Sequence, residues 1–398
     1  MRSFLIGVAG GLGLGYLVAR AGQAARDLRK PFPPQPQDPK AYGRLHRRLM
    51  LTGIARSLAD LGFAAYGPLG AAFAPPNGAA EPRARRLLLF GVGLFASAVC
   101  DLPIAYIEGH VTERRYGLTK QTPRSWASDQ AKGFAVSLAL GVPLLELLAT
   151  TIERAPRLWP LVVTAGTFPL LVFANVIVPN LIMPLFNRFE PLEGPVADRL
   201  RALAVRFGAG DANILRVDMS KQTEKANAYV TGLFGSKRIV LADTLLDHFT
   251  EREIEFVVAH ELGHYVSRDM WRNVGVGTAA AGLVFAGAKS IVGNSEVSPA
   301  SATGLGRLMF AASILGVVVG PALAAYSRSR ENAADRFALA ATHDAQGGID
   351  AFTRLRERNL AEEAPPRWME VLFSTHPSLR NRISDLERAK AEPAQPAV

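Results

Sequence analysis

Long apolar runs restrict the folds open to this 398-residue chain. Hydrophobic residues make up 49% of the sequence, and residues 159–183 carry no charge over 25 positions. About 20 apolar residues can cross a bilayer as a helix, because a helix satisfies its backbone hydrogen bonds internally. Seven segments fit or approach this description: residues 3–19, 50–74, 87–107, 133–152, 159–183, 274–292 and 308–327. The sequence therefore predicts a mainly α-helical, polytopic membrane protein with a bundle of seven transmembrane helices.

Two of the seven segments are weaker than the others. Residues 50–74 contain Arg56 and Asp60, which lie four apart and can pair inside a helix bundle. Residues 3–19 have the length of a signal peptide, but their flanking positive charge follows the apolar run, the reverse of a signal peptide. We therefore expect a retained anchor whose N-terminus lies outside the cytosol.

The charges of the loops predict how the spans are oriented. Lys and Arg number seven in residues 21–49, five in 109–132, three in 76–86 and two in 154–158. The richer loops are expected on the cytosolic side, which places residues 184–271 and the tail after residue 327 there as well.

Composition also bears on partners and location. The net charge of +10 fits contact with the lipid bilayer, and no aromatic-interleaved basic motif indicates nucleic-acid binding. The single cysteine, Cys100, lies in an apolar span and allows no intrachain disulfide. The Ala/Arg-rich composition indicates the inner membrane of a bacterial cell, or the endoplasmic reticulum membrane if the source is eukaryotic.

A His-Glu-Leu-Gly-His motif at residues 260–264 is the strongest chemical signal. Histidine is rare, with seven in the chain, so composition alone does not explain the pattern. Thr250 and Glu253 form a capping-box pattern, which predicts the start of a helix that runs through this motif. On that helix His260 and His264 project from one face and can share a tetrahedral Zn²⁺. Glu261 then lies where a carboxylate can polarise a metal-bound water.

A hydrolytic zinc site needs a third protein ligand, and Glu331 is the best candidate. Glu331 follows His264 by 67 residues and begins a Glu-Asn-Ala-Ala-Asp segment. Asp335 lies one helical turn further on, where its carboxylate can accept the spare ring N–H of a ligating histidine.

Between the apolar runs, the sequence pattern predicts a small α+β region. Short strands are expected at residues 213–217, 228–233 and 238–241, the last two joined as a hairpin by residues 234–237. A strand edge beside the metal helix either binds an extended substrate or only supports the helix.

The sequence divides the chain into four predicted parts. These are residues 1–184 (about five membrane helices and a Pro-rich linker at 30–40), 185–271 (the metal-helix domain), 272–327 (two further membrane helices) and 328–398 (a helical segment completing the site).

These motifs occur in one order in a known family. The chain resembles the type I CAAX prenyl endopeptidases, which are integral-membrane zinc metallopeptidases of the gluzincin class. The resemblance runs from about residue 100 onward and rests on residues 107–108, 115–118, 121–122, 184–192, 227–229, 232, 234–241, 260–264, 331–335 and 374–377.

The resemblance implies a fold, a reaction and a set of roles. The seven helices would surround a large water-filled chamber, with one Zn²⁺ per chain near its cytosolic rim. The implied roles are metal ligands His260, His264 and Glu331, catalytic residues Glu261 and His376, a ligand-orienting residue Asp335, and substrate-binding residues Asn227 and Arg382. The implied reaction is peptide hydrolysis near the C-terminus of a prenylated or otherwise hydrophobic, membrane-associated protein.

Two other interpretations stay open at this stage. A heat-shock-type membrane quality-control metalloprotease shares the metal helix but has fewer spans. A non-catalytic membrane scaffold would be typical of Pro-interrupted spans such as residues 159–183.

Overall fold

The structure, a computed structural model, describes residues 37–75, 79, 81–232, 237–293 and 297–391. Most of these residues are helical, which confirms the mainly α prediction. The first half contains α1 (Pro39–Tyr66), α2 (Pro68–Phe73), α3 (Arg83–Tyr106), α4 (Pro123–Arg154) and α5 (Trp159–Ile177). Short π-helical and tighter turns extend α3 to Arg115 and α5 to Leu185.

The second half combines a small sheet with further helices. In chain order these are β1 (Phe189–Pro191), α6 (Pro195–Arg206), β2 (Asn213–Val217), β3 (Ala228–Thr231), β4 (Arg238–Ala242), α7 (Asp243–Leu246), α8 (Glu251–Val266), α9 (Asp269–Val292), α10 (Ala302–Thr342), α11 (Ala345–Arg358), α12 (Arg367–Leu372) and α13 (Leu379–Ala391). Strands β2 and β4 agree with the predicted ranges, and β3 is shorter than predicted. The turn predicted at residues 234–237 lies almost wholly outside the described residues.

Five helices among the described residues are long and apolar enough to cross a membrane: Arg83–Arg115, Pro123–Arg154, Trp159–Leu185, Asp269–Val292 and Ala302–Thr342. Each contains one of the seven predicted segments. The predicted span at residues 3–19 lies outside the described residues. The span predicted at residues 50–74 falls on α1 and α2 and is not among these five. Its helix ends at Tyr66, because Gly67 adopts an extended backbone and Pro68 begins a new helix.

Acidic side chains within the apolar helices form ion pairs between helices. Arg56 pairs with Asp60 in its own helix, with 2.7 Å between Nη1 and Oδ2, and also with Asp101 of α3. The buried Arg86 donates two hydrogen bonds to Glu146 of α4, at 2.9 and 2.8 Å. Such charges are expensive in lipid and favour pairing in the bundle interior. Asp101 and Glu146 therefore hold helices together in this structure.

The sheet has the strand order β1-β2-β4-β3, with β2 and β4 parallel and the outer pairs antiparallel. Strand β3 is consequently an edge strand of the described sheet. One hydrophobic core joins the sheet to α6, α8, α11, α13 and the C-terminal end of α10; its most buried members include Leu241, Phe256 and Ala338. The sheet and the helix with the His-Glu-Leu-Gly-His motif are thus one packed body.

Helix α10 links that body to the membrane helices without a break. It contains 41 residues and, at about 1.5 Å per residue, extends for roughly 60 Å. The predicted boundary at residues 327 and 328 lies in the middle of this helix, and the boundary at 271 and 272 lies in the first turn of α9. The same helix therefore runs from the apolar bundle to Glu331.

Candidate metal centre and active site

Helix α8 carries the His-Glu-Leu-Gly-His motif and has a well-defined start. The predicted capping box is present: Thr250 accepts from the Glu253 backbone N–H, and the Glu253 carboxylate accepts from the Thr250 N–H. Arg354 of α11 also donates to the Glu253 carboxylate at 3.0 Å. The helix start is therefore tied to α11 as well as to its own cap.

The side chains of His260, His264 and Glu331 meet at one point. Each offers a ligand atom, and these atoms lie within 4.8 Å of one another. His260 Nε2 is 3.3 Å from Glu331 Oε2, and His264 Nε2 is 3.4 Å from Glu331 Oε1. The structure thus brings together two neighbouring turns of α8 and a residue 67 positions further along the chain.

A glycine between the histidines allows the two helices to approach. A Cβ atom added at Gly263 would lie 3.1 Å from the Cα of Ala334 and 3.1 Å from the Phe337 ring. Contacts of 3.1 Å are tighter than packed side chains normally make. The missing side chain lets α8 and α10 cross closely enough for Glu331 to face both imidazoles.

His260 is oriented by a carboxylate from α10. Its Nδ1 lies 2.8 Å from Asp335 Oδ1, as the sequence predicts from the one-turn spacing to Glu331. Arg382 of α13 holds that carboxylate from the other side, with Nε 2.7 Å from Asp335 Oδ2. The hydrogen bond between His260 Nδ1 and Asp335 fixes the imidazole ring so that its Nε2 faces Glu331.

His264 has a matching partner that the sequence analysis missed. Its Nδ1 lies 2.9 Å from Asp269 Oδ2, and Arg330 donates to the other oxygen of that carboxylate at 2.7 Å. Asp269 is buried, and it turns back toward His264 because Arg268 adopts a left-handed conformation at φ 54°. A short polar turn directly after the motif helix is the signal that could have pointed to Asp269.

The electrostatics of the cluster fit a bound cation. Burial opposes protonation of His260, but the Asp335 and Glu331 carboxylates outweigh it and raise the pKa of His260 to about 9. Glu331 Oε2 is buried and has no hydrogen-bond partner among the residues that the structure describes. Protons and metal ions compete for the same imidazole nitrogens. Two imidazoles that attract positive charge, facing an unsatisfied carboxylate oxygen, suit a divalent metal.

Glu261 lies beside this cluster at a large cavity. The cavity has a volume of about 1030 Å³, and its wall includes Glu261, His260, His264 and Glu331. Burial raises the pKa of the Glu261 carboxyl, although the two histidines oppose the shift. A carboxyl group with a raised pKa holds a proton more readily than a free one, which suits it to exchanging protons with a bound reactant.

His376 reaches the same cavity from the loop between α12 and α13. Its Nε2 is 3.4 Å from Glu331 Oε1, and its side chain is 61% exposed. The surrounding cavity wall partly desolvates the ring and, together with the positive charge of Arg382, lowers the pKa of His376, while Glu331 opposes the shift. A neutral imidazole at this position can donate a hydrogen bond to a ligand in the cavity.

The edge strand β3 forms another part of the cavity wall. Asn227, directly before β3, lines the cavity together with Ala228, Val230 and Thr231. The backbone carbonyl of Asn227 accepts from the Ala242 N–H at 2.9 Å, which fixes the start of the strand on β4. The free side of an edge strand can pair with an extended peptide.

Arg382 lies behind His260 and not among the residues that line the cavity. The resemblance implies a contact with substrate, whereas in the structure its side chain is buried and stacks on Phe352 with 4.1 Å between guanidinium and ring centre. Its donors are directed to Asp335. The Arg382 guanidinium therefore holds the Asp335 carboxylate, which in turn bonds to His260, on the side away from the cavity.

Comparison with known proteins agrees with this geometry. The model of peptidase family M48 matches residues 192–390, half of the chain. The model described as the CAAX prenyl protease N-terminal region with five membrane helices matches residues 49–188. The chain belongs to peptidase family M48. The two matches meet between residues 188 and 192, where α5 and its extension lead into the sheet.

The similarity to known proteins and to a solved structure covers most of the chain. The uncharacterized metalloprotease YhfN of Bacillus subtilis is 29% identical over 319 residues, which cover 77% of this chain and 74% of that protein. The CAAX prenyl protease 1 homolog of Oryza sativa is 31% identical over 330 residues, covering 79% and 76%. The crystal structure of S. mikatae Ste24p superposes with a TM-score of 0.78 at 26% identity and covers 88% of each chain.

The family match, the relatives and the structural match together decide between the earlier interpretations. The chain is a multi-pass membrane metalloendopeptidase with a Ste24p-like fold. The matches to CAAX prenyl proteases favour this interpretation over a quality-control protease and over a non-catalytic scaffold.

Proposed function

We propose that this protein is a zinc endopeptidase that cleaves near the C-terminus of prenylated CAAX proteins or similar membrane-associated substrates. The observation that carries the proposal is the convergence of His260, His264 and Glu331 beside Glu261 on a cavity of about 1030 Å³. In this proposal the first three side chains hold one Zn²⁺. Two histidines and a glutamate with an open position form a known hydrolytic zinc site.

Each residue around the proposed metal has its own role in hydrolysis. When bound, zinc supplies a Lewis acid that lowers the pKa of water toward about 7. Glu261 takes a proton from the attacking water and returns it to the leaving amine. His376 donates a hydrogen bond to the carbonyl oxygen of the scissile bond, where negative charge develops. Asp335 and Asp269 hold the two imidazoles in the tautomer that keeps Nε2 free.

The cavity wall supports a hydrophobic peptide as substrate. Asn227 and β3 offer the outer edge of the described sheet for main-chain hydrogen bonds. Apolar side chains from α5 and α9, among them Leu171, Trp271 and Val274, form another part of the wall. Two relatives, at 38% and 34% identity over 46% of the chain, are named as CAAX prenyl protease 1 or its homolog. In a lipidated C-terminal segment, the peptide backbone can bond to the strand edge and the lipid can contact the apolar side chains.

We further propose that seven helices surround a chamber and that the small sheet with α6 to α8 forms an α+β peptidase domain on the cytosolic side. In each of the five candidate spans, at most 17% of the apolar window is buried inside the protein. Helices with so little buried surface suit a wide bundle that has lipid on one face and an open interior on the other. Helix α1 would supply a sixth crossing, and the seventh is the span predicted from sequence at residues 3–19, outside the described residues.

Substitution of Glu261 tests the proposal directly. Glu261→Gln keeps the size of the side chain but removes the proton acceptor, so turnover of a farnesylated CAAX peptide should fall at least about 100-fold. Zinc content should remain at the wild-type level, since Glu261 is not a proposed ligand. The assay measures cleavage products by mass spectrometry and zinc by elemental analysis on the same samples.

Substrate class is tested with two further peptides. The same peptide without its farnesyl group and an unstructured soluble protein such as casein should be cleaved more slowly by the wild type. If casein is the better substrate, the prenylated substrate class is wrong while the zinc peptidase stands. If Glu261→Gln retains full turnover, Glu261 is not the base.

A further inference from the structure

The loop that carries His376 has little backbone structure of its own. It joins α12, which ends at Leu372, to α13, which begins at Leu379. Its described backbone bonds include Ser374 N–H to Met369 O at 3.1 Å, which closes the end of α12. The exposed imidazole at 376 nevertheless stays 3.4 Å from Glu331. Side chains from elsewhere must therefore hold the loop against α10.

Arg328 of α10 makes the contacts that hold the first half of the loop. Its Nη1 donates to the backbone carbonyls of Glu370 and Ser374, at 2.7 Å each. The Glu370 carbonyl belongs to the last turn of α12, where carbonyls lack a partner within the helix. A cation is favourable there because it also meets the negative end of the helix dipole.

The second half of the loop is held by the Glu370 side chain. Its Oε1 accepts from the Ser378 backbone N–H at 3.0 Å and from Asn381 Nδ2 at 3.2 Å. The residues on both sides of His376 are thus anchored. Arg328 contacts the segment from α10, and Glu370 closes it onto the start of α13.

The position of Arg328 links this anchor to the metal site. Arg328 precedes Glu331 by three residues on α10, so one helical turn carries both the loop anchor and a proposed ligand. Arg328 does not line the catalytic cavity; it lies on a separate polar groove of about 350 Å³ that also includes Pro377. It therefore acts on the far side of the loop from the substrate.

We propose that Arg328 is a positioning residue for catalysis: it holds the His376 loop on the helix that bears Glu331, and so sets the distance between the imidazole and the scissile carbonyl. The proposal rests on the proposed function, in which His376 contacts the substrate. A misplacement of about 1 Å can reduce a catalytic rate roughly 100-fold. A lost anchor should consequently lower kcat more than it weakens substrate binding.

Kinetics of the full-length protein in detergent or nanodiscs test this role. Arg328→Ala should lower kcat about tenfold to 100-fold while KM and zinc content change less than about twofold. Arg328→Lys keeps the charge and should recover part of that loss. In a His376→Ala background, Arg328→Ala should cause less than about a further twofold loss, because both substitutions remove the same function.

The control is Arg388→Ala. Arg388 lines the same groove, but its hydrogen bonds to described residues stay within α13, to Asp385 and to Ser384 O at 3.4 Å. Its removal should leave kcat near the wild-type value. Hydrogen exchange gives a readout apart from activity: Arg328→Ala should speed exchange in residues 373–378 and leave residues 257–264 unchanged.

The outcomes separate the two proposals. Wild-type kcat and unchanged exchange in Arg328→Ala overturn the positioning role, and so does an equal loss of kcat in the wild-type and His376→Ala backgrounds. Loss of zinc in Arg328→Ala also overturns it, since the residue would then support the metal site as a whole. Full activity of His376→Ala alone contradicts the proposed role of His376, and the positioning role falls with it.

Discussion

Each proposed metal-binding histidine is held by a carboxylate that is itself bonded to an arginine. For His260 the pair is Asp335 and Arg382, and for His264 it is Asp269 and Arg330. Breaking a buried pair by removing one partner is strongly destabilising, because a buried charge is left without compensation. The two arginines therefore hold the carboxylates in place, and the carboxylates in turn hold the imidazoles.

Asp269→Asn should weaken zinc binding by about 10- to 100-fold, the usual effect of losing a carboxylate that orients a ligating histidine. Competition with a zinc chelator measures the affinity. Asp198→Asn is the control, because Asp198 is exposed on α6 and pairs with Arg201 of the same helix at 2.8 Å. Equal affinity of Asp269→Asn and wild type would show that His264 does not need this partner.

The sequence could predict one of these partners and not the other for a geometric reason. Asp335 lies on the same helix as Glu331 and one turn away, so helical spacing places it on the correct face. Asp269 lies beyond the end of α8, and only the left-handed turn at Arg268 directs it back to His264. Spacing rules hold within a helix and cannot predict the turn that follows it.

Among the elements, the crossing of α8 and α10 depends most on a single residue. Gly263 lies at the point where the two helices approach, and an added Cβ atom would meet Ala334 and Phe337 at 3.1 Å. A larger side chain there must push α10 away. Glu331 then moves away from the imidazoles.

Gly263→Val should lower the free energy of unfolding by about 1–3 kcal/mol through overpacking and should also reduce zinc affinity. Thermal unfolding and zinc titration measure the two effects. Gly275→Val on α9 is the matched control, since no atom of the described residues lies within 4 Å of a Cβ atom at Gly275. If the two valine variants behave alike, close approach at Gly263 is not required.

Element boundaries show where sequence patterns reach their limit. The capping box at Thr250 and Glu253 predicted the start of α8 correctly, because its signal is local. Strand β1 gives no strand signal in the sequence, since it has three residues and ends in a proline. The sequence pattern divides the single helix α10 at residue 327, because the change from apolar to charged residues marks a change of environment and not the end of a helix.

At the scale of the whole molecule, buried ion pairs join the membrane helices. Arg86 of α3 is buried; it bonds to Glu146 and Glu153 of α4 and lies 3.4 Å from the carbonyl of Ala300, just before α10. One guanidinium therefore connects three parts of the bundle. The helix that carries Glu331 begins at this connection.

Arg86→Ala should lower the free energy of unfolding by about 3–5 kcal/mol, because it leaves the Glu146 carboxylate buried without its principal partner. Arg83→Ala should cost less than about 1 kcal/mol, since Arg83 pairs with the same carboxylate from an exposed position. Thermal unfolding in one detergent compares the two. If both variants lose the same free energy of unfolding, burial of Arg86 is not the reason why its ion pair with Glu146 stabilises the protein.

The zinc content of the purified protein tests the central claim most directly. Elemental analysis should find about one zinc ion per chain in the wild type and well under half of that in Glu331→Ala, because the site then keeps only two of its three protein ligands. Wild-type zinc content in folded Glu331→Ala, or a wild type without zinc, would contradict a metal held by His260, His264 and Glu331.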